Sequence, residues 1–345
     1  MPVTRSCLAF CLCLLLTVAL GPLAARAEEG GGGSDPQDLN KRLGRGVNII
    51  GYDPLWRSPA KARFQEKHFG LIAEAGFSHV RVNLHPWRDR KIDAQDRLAT
   101  DWLETLDWVV RQAREDKLLV ILDLHEFQAM GRDAEGNRQR LLATWKQLAE
   151  RYREAPKEVL FEILNEPNGK LTPELWNQYL REALAVIRAS NPRRAVVIGP
   201  AFWNSVDHLD KLRLPADDRH LIVTVHYYKP MAFTHQGASW TGQKDKVGVL
   251  WKGTTQERAA IERDFDKVQA WAKQHQRPVY LGEFGAYDKG ELASRIRYTS
   301  FVAREAERRG WSWGYWQFDG DFIVFDMKTQ QWVEPILRAL IPLAK

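Results

Sequence analysis

From Gly44 onward, short apolar runs rich in β-branched residues alternate with longer segments whose apolar positions recur at helical spacing. The runs Gly46–Ile50, His79–Leu84, Leu118–Leu124, Val159–Leu164, Ala195–Ile198, Leu221–Val225, Pro278–Leu281 and Trp313–Phe318 each predict a buried strand. Between them, Lys61–Ala75, Asp101–Asp116, Arg138–Arg153, Thr172–Ser190, Gln256–Gln274 and Leu292–Arg309 predict helices. In Thr172–Ser190, Thr172 can cap, Pro173 suits the first turn, and Trp176, Leu180, Ala183, Leu184 and Ile187 form one stripe. Asn204–Leu212 leaves room for only a short helix. Eight such units without a composition break predict an α/β fold, a single (β/α)8 TIM barrel over 44–345. An open doubly wound sheet would want a G-x-G-x-x-G turn after its first strand, and Gly44, Gly46 and Gly51 lack that spacing.

The first 27 residues follow a different pattern. Arg5 supplies a basic start, Leu8 to Leu20 is almost wholly apolar, and Ala25-Arg26-Ala27 ends it as a small-x-small cleavage site. This predicts a secretory signal peptide over 1–27, and so a secreted or periplasmic protein. The alternative, a retained anchor, has an apolar run shorter than the about 20 residues a span needs. Residues 28–43, with Gly30 to Gly33 and Ser34, read as a flexible leader. Cleavage after Ala27 leaves 318 residues and takes away Cys7, Cys11 and Cys13, which are all the cysteines. Disulfides, thiol chemistry and zinc–thiolate sites are then excluded from the mature chain. The formal charge falls from +6 to +4 with Arg5 and Arg26 gone, and the remaining charges are interspersed. Nothing argues for nucleic acid or, in the mature form, for a membrane.

Function in such a barrel gathers at the C-terminal strand ends and the loops after them. Strand 2 ends Arg81-Val82-Asn83, strand 3 Asp123-Leu124-His125-Glu126 and strand 4 Asn165-Glu166-Pro167. Strand 6 ends His226-Tyr227-Tyr228, strand 7 Gly282-Glu283-Phe284, and strand 8 carries Tyr315-Trp316. Strand 5 ends Gly199-Pro200 with Trp203 and Asn204 just beyond. Glu166 and Glu283 are the sharpest pair, because an acid that closes an apolar run is costly to bury unpaired. Three units apart in an eight-stranded ring, they face each other across the mouth. Two carboxylates flanking one bond suit glycoside hydrolysis, one giving a proton to the leaving oxygen and the other attacking carbon or activating water. The competing reading is an ion pair with Arg81 or a histidine that only ties the rim together. Arg81 can lower a neighbouring carboxyl's pKa and Tyr228 can donate to it, whereas Asn165 is placed to bond a sugar hydroxyl. Residue types alone leave open which glutamate plays which part.

Leu164-Asn165-Glu166-Pro167, His226-Tyr227-Tyr228, Gly282-Glu283-Phe284-Gly285 and the Trp316 strand together resemble glycoside hydrolase family 5, the large cellulase family. The resemblance covers about residues 44–340. Phe233-Thr234-His235-Gln236-Gly237-Ala238 and Gly282 to Tyr287 look like a subgroup that includes thermophilic endoglucanases active on glucan and mannan. It implies Glu166 as acid/base and Glu283 as nucleophile, with Arg81 and Tyr228 holding the nucleophile. It also implies that His125, Asn165 and His226 position substrate and acid/base, that Trp316 is the sugar platform, and that configuration is retained without a cofactor. One departure stands out. Relatives tend to carry a second histidine after that of strand 3, whereas here Glu126 follows His125 and puts a carboxylate where sugar hydroxyls would bind.

Other readings carry less. Asp123, His125 and Glu126 alternate faces along a strand, so at most two could ligate a metal together, and no H-E-x-x-H helix supports them. Asp319, Asp321 and Asp326 lack a calcium-loop pattern and read as a solvated turn. Of the 14 tryptophans, Trp102, Trp108, Trp145, Trp176 and Trp271 lie on helical stripes and read as core. Trp203, Trp240, Trp251 and Trp316 lie on rim loops and read as sugar-stacking surfaces. The long connection Tyr227 to Lys252 reads as one wall of a cleft. His85 and Trp87 read equally as a substrate subsite or as loop packing. The expectation is a retaining endo-β-glycanase acting on β-1,4-glucan. A mannanase or other β-glucanase, or a non-catalytic glycan-binding barrel, are the alternatives.

Overall fold

The computed structural model describes residues 1–3 and 35–343. The predicted signal peptide from residue 4 and the glycine-rich stretch lie outside the described residues. Eight parallel strands close a barrel in sequence order: β1 Arg45–Ile49, β2 His79–Leu84, β3 Leu119–Leu124, β4 Val159–Glu162, β5 Val196–Ile198, β6 Leu221–Tyr227, β7 Val279–Phe284 and β8 Ser312–Tyr315. Each run predicted from the apolar pattern is a strand within a few residues of its expected bounds. No helix among the described residues is long and apolar enough to cross a membrane.

Two apolar layers hold the barrel. The outer one lies between strands and helices and takes Trp102, Trp145 and Trp176, each at most 1% exposed. Burying an aromatic stripe of this kind stabilises by roughly 1.5–3 kcal/mol per large side chain. The inner layer fills the barrel floor with Leu119, Ile121, Leu160, Val197, Ile222 and Tyr280. It also contains Leu39 and Leu43, which belong to a helix over Pro36–Leu43. The leader expected to be flexible to residue 43 therefore ends in structure. Asp35 caps this helix through a bond from the Gln37 amide, and the helix closes the floor that eight strand starts would leave wet.

The helix expected from Lys61 begins only at Lys67. Asp53 accepts the amides of Arg63 and Phe64 and holds that stretch in an irregular turn, a long-range tie that local periodicity does not carry. A small hairpin, β9 Phe325–Asp326 with β10 Gln331–Trp332, and a helix over Glu334–Leu340 follow β8. Trp332 packs there against Phe77 and Phe318.

Candidate active site

Going up the barrel, the interior changes from apolar to charged. Above the floor, Asn48 of β1, Arg81 of β2, Asp123 of β3 and Glu162 of β4 point into one layer and are fully buried. Arg81 organises it. Its Nε and Nη2 donate to the two oxygens of Glu162 at 2.7 and 2.9 Å. Nη2 also donates to Asn165 Oδ1 at 2.8 Å and lies 3.1 Å from Asp123. Nη1 donates to Asn48 at 2.7 Å and to Glu283 Oε1 at 2.8 Å. Burial opposes the Arg81 charge, but Asp123 and Glu162 outweigh it and hold the guanidinium protonated.

Glu283 owes its aim to a local irregularity. The β6–β7 register slips so that Val225 pairs with Leu281 but His226 pairs with Glu283, leaving Gly282 as the extra residue of a bulge. A Cβ at Gly282 would come within 2.5 Å of Thr224 Oγ1 and 3.0 Å of His226 Nε2. The carboxyl of Glu283 accepts from Arg81 on one oxygen and from Tyr228 Oη, at 3.0 Å, on the other. Opposite it, Glu166 sits one turn beyond β4 with φ of 41°, a left-handed conformation unusual for this residue type. His226 Nδ1 bonds Glu166 Oε1 at 2.7 Å and lies 3.5 Å from Glu283 Oε2. One carboxylate oxygen of each glutamate and a ring nitrogen of His226 all lie within 4.8 Å of one another. Such a triplet could ligate a cation, but the guanidinium of Arg81 against Glu283 already supplies the positive charge there.

Burial raises both carboxyls above the ordinary range, Glu166 to about 8 and Glu283 to about 7. Arg81 opposes the shift in Glu166. In Glu283 the nearby His226 opposes it and the Glu166 charge adds to it. The pair titrates together, and burial favours one proton held between the two carboxyls. Burial lowers His226 and His125 and keeps both neutral.

His125 hangs beside this pair. Its Nδ1 bonds Asp123 at 2.6 Å, and Asn165 Nδ2 donates to its Nε2 at 3.2 Å. The Trp316 indole lies parallel to the His125 ring, centroids 5.5 Å apart. Trp316 is half-buried there, its amide bonded to the carbonyl of Phe284, the residue after Glu283.

The structure brings Glu166, Glu283, Arg81, His125, Asn165, His226, Tyr228 and Trp316 together. Trp203 is exposed next to them, its amide bonded to the carbonyl of Pro167. Trp240 is exposed on the loop after β6, edge-on to Tyr287. One expectation needs correction and one is narrowed. Glu126 is 4% exposed, and its Oε1 accepts the amides of Trp87 and Arg88 at 2.6 and 3.0 Å, so that oxygen clamps the loop after β2. The residue also lines the cleft of about 360 Å³ beside His125. Trp251 is 1% exposed against Tyr298 and is core, not rim. Trp87 is 9% exposed with its indole N–H on Thr144, so it packs the loop, and with His85 it also lines that cleft.

Sequence reasoning missed Glu162, Asn48 and Tyr52. An acid inside the apolar run Val159–Leu164 was a signal for Glu162, since only a buried partner makes it tolerable. Tyr52 carries no such signal. It stands exposed over His85, with Arg88 stacked on it at 4.7 Å.

A closed parallel barrel whose C-terminal mouth holds two facing carboxyls among aromatic and amide side chains has the architecture of the two-carboxylate glycoside hydrolases. The chain belongs to the cellulase family, glycosyl hydrolase family 5, whose description matches residues 41–321. It is similar to Endoglucanase H of Acetivibrio thermocellus, 30% identical over 318 residues that cover 89% of this chain and 33% of that protein. The chain thus spans about a third of that relative. Among solved structures it resembles Thermotoga maritima Cel5A in complex with mannotriose, at 39% identity and a TM-score of 0.84. The complex of Cel5A with cellobiose gives 40% and 0.84, and both matches cover 89% of this chain and 100% of Cel5A.

Proposed function

We propose that the protein is a secreted, retaining endo-β-1,4-glucanase that works by double displacement. The observation that carries this reading is the separation of Glu166 and Glu283, with oxygens within 4.8 Å. That closeness is nearer the about 5–5.5 Å carboxyl separation of retaining enzymes than the about 6.5–9.5 Å of inverting ones, and suits direct attack. Secretion rests on the apolar segment and cleavage pattern of residues 1–27.

In the first step a carboxylate oxygen of Glu283 bonds to the anomeric carbon while the bond from that carbon to the leaving oxygen breaks. Glu166 gives its proton to that oxygen. In the second step Glu166 takes a proton from water, the water oxygen bonds to the anomeric carbon, and the ester bond to Glu283 breaks. Donors from Arg81 and Tyr228 favour the ionised form of Glu283 against the burial that raises it, and burial keeps Glu166 protonated until the leaving oxygen needs it. Asn165, tied to both Arg81 and His125, meets the sugar beside the reacting carbon. Trp316 offers an aromatic face to the apolar side of a pyranose ring.

A second reading, activity on β-mannan as well, is favoured by the likeness to Cel5A, which has been solved with both mannotriose and cellobiose. The test is release of reducing ends from soluble β-1,4-glucan, glucomannan and mannan by the purified protein and by Glu283→Gln. Release from glucan that Glu283→Gln abolishes supports the reading. Release that survives the substitution contradicts it, and mannan release decides the second reading.

A further inference from the structure

Beyond β5 the chain makes a turn that the reaction steps above do not use. Phe202, Trp203 and Asn204 all have φ between 53 and 60°, three consecutive non-glycine residues in left-handed conformation. Such a turn costs roughly 1–2 kcal/mol per residue and persists only where surrounding contacts impose it. Its last two residues do different things. Trp203 is carried outward, 52% exposed, while Asn204 is driven inward to 0%. There Asn204 Nδ2 lies 3.2 Å from His226 Nε2. The space for it is made by Gly199, where a Cβ would stand 2.1 Å from Asn204 Oδ1, and Oδ1 itself has no hydrogen-bond partner. Ser205 pairs with His226 as an added bridge to β6 and locks the register of the contact.

We propose that Asn204 is a positioning residue for the acid/base, acting through His226; this rests on the reading of Glu166 as acid/base. The amide of Asn204 donates to Nε2, so the neutral imidazole carries its hydrogen on Nδ1 and donates to Glu166 Oε1. Oε1 is thereby kept as an acceptor, and the transferable proton of Glu166 is left to Oε2. In the other tautomer Nδ1 would be a bare acceptor. Glu166 would then spend its proton on the histidine instead of the glycosidic oxygen, and its ionised form would lose a donor. The charged groups facing His226 are Glu166, Glu283 of β7, Arg81 of β2, Asp123 of β3 and Glu162 of β4. Those facing Glu166 are the same set with His226 in its place, with Tyr228 across the pair on Glu283. None of them bonds Nε2, whose hydrogen-bond neighbour is Asn204 Nδ2.

The test uses two substitutions that the left-handed backbone tolerates, Asn204→Asp, which turns the donor into an acceptor, and Asn204→Gly, which removes it. With melting temperature checked for each, both lower kcat on polysaccharide by about tenfold or more, with KM changed less. In Asn204→Gly the alkaline limb of kcat/KM moves up by about half a pH unit or more, because ionised Glu166 has lost an assured donor. In a Glu166→Gln background, assayed on an aryl glycoside whose leaving group needs no proton, Asn204→Asp costs less than about twofold more. A limb that stays in place in Asn204→Gly, or an equal loss in both backgrounds, overturns the role of Asn204 while Glu166→Gln remains inactive on polysaccharide. Glu166→Gln that stays active on polysaccharide overturns instead the reading of Glu166 beneath it.

Discussion

Arg81 reaches Glu283 with one guanidinium nitrogen at 2.8 Å while two others grip both oxygens of Glu162. This fully buried guanidinium is thus fixed from below, by the fully buried Glu162, and presented from above to the proposed nucleophile. Arg81→Lys cannot keep that fork, since a lysine offers one point charge where several directed donors are used. We expect Arg81→Lys to lose activity by about 10²-fold or more while remaining folded, and Arg81→Met to destabilise by about 3–5 kcal/mol by stranding Glu162 and Asp123. Denaturant titration beside steady-state kinetics separates the two outcomes.

The raised carboxyls give a pH dependence with a definite sign. A folded Glu166 that keeps its proton up to about 8 binds more protons than the unfolded chain between the ordinary glutamate value and pH 8. Its contribution to stability is therefore greatest at low pH and is lost as pH rises through that window. Glu166→Gln removes the loss, so the variant should melt several degrees higher than the parent at pH 8 and near the parent at pH 4. Calorimetry at both pH values checks it, and a parent that gains stability from this residue at pH 8 would contradict the assignment. The same substitution, with an activated aryl glycoside, should erase the alkaline limb of activity.

Trp203 and Trp316 should differ in what they serve. Trp203 projects beside Pro167, on the side of the acid/base, so Trp203→Ala should raise KM for polysaccharide by roughly fivefold, about 1 kcal/mol of stacking, and leave an aryl cellobioside unaffected. Trp316, against His125, should cost kcat/KM on both substrates. Equal effects of the two substitutions on the small substrate would place Trp203 wrongly.

Glu126 offers a fourth check. Its oxygen satisfies the buried amide of Trp87 and the part-buried amide of Arg88, so Glu126→Ala leaves them unpaired and should cost about 1–3 kcal/mol of stability. Glu126→Gln keeps an acceptor and should cost much less. If the two variants unfold alike, the clamp is not what that side chain provides.

The strand pattern and the rim residues were legible because each buried strand ends in a polar group whose burial demands a reason. Glu166 and Glu283 stand out on that ground alone. What the sequence hid was long-range. The tie of Asp53 to Arg63 and Phe64 delays a helix, and the helix Pro36–Leu43 earns its place only against a floor built by strands far along the chain. The second part played by Glu126, clamping the loop after β2, could not be seen from its neighbours in sequence. Asn204 gave no periodic signal at all, since a left-handed turn has none.

The account turns on direct attack by Glu283, and the stereochemistry of the first product reads that step. Proton NMR of fresh hydrolysate from a β-1,4-glucan oligosaccharide, taken before mutarotation, should show the β-anomer appearing first and the α-anomer only later. The α-anomer appearing first would mean that water, not Glu283, had attacked the sugar, and would contradict the central claim.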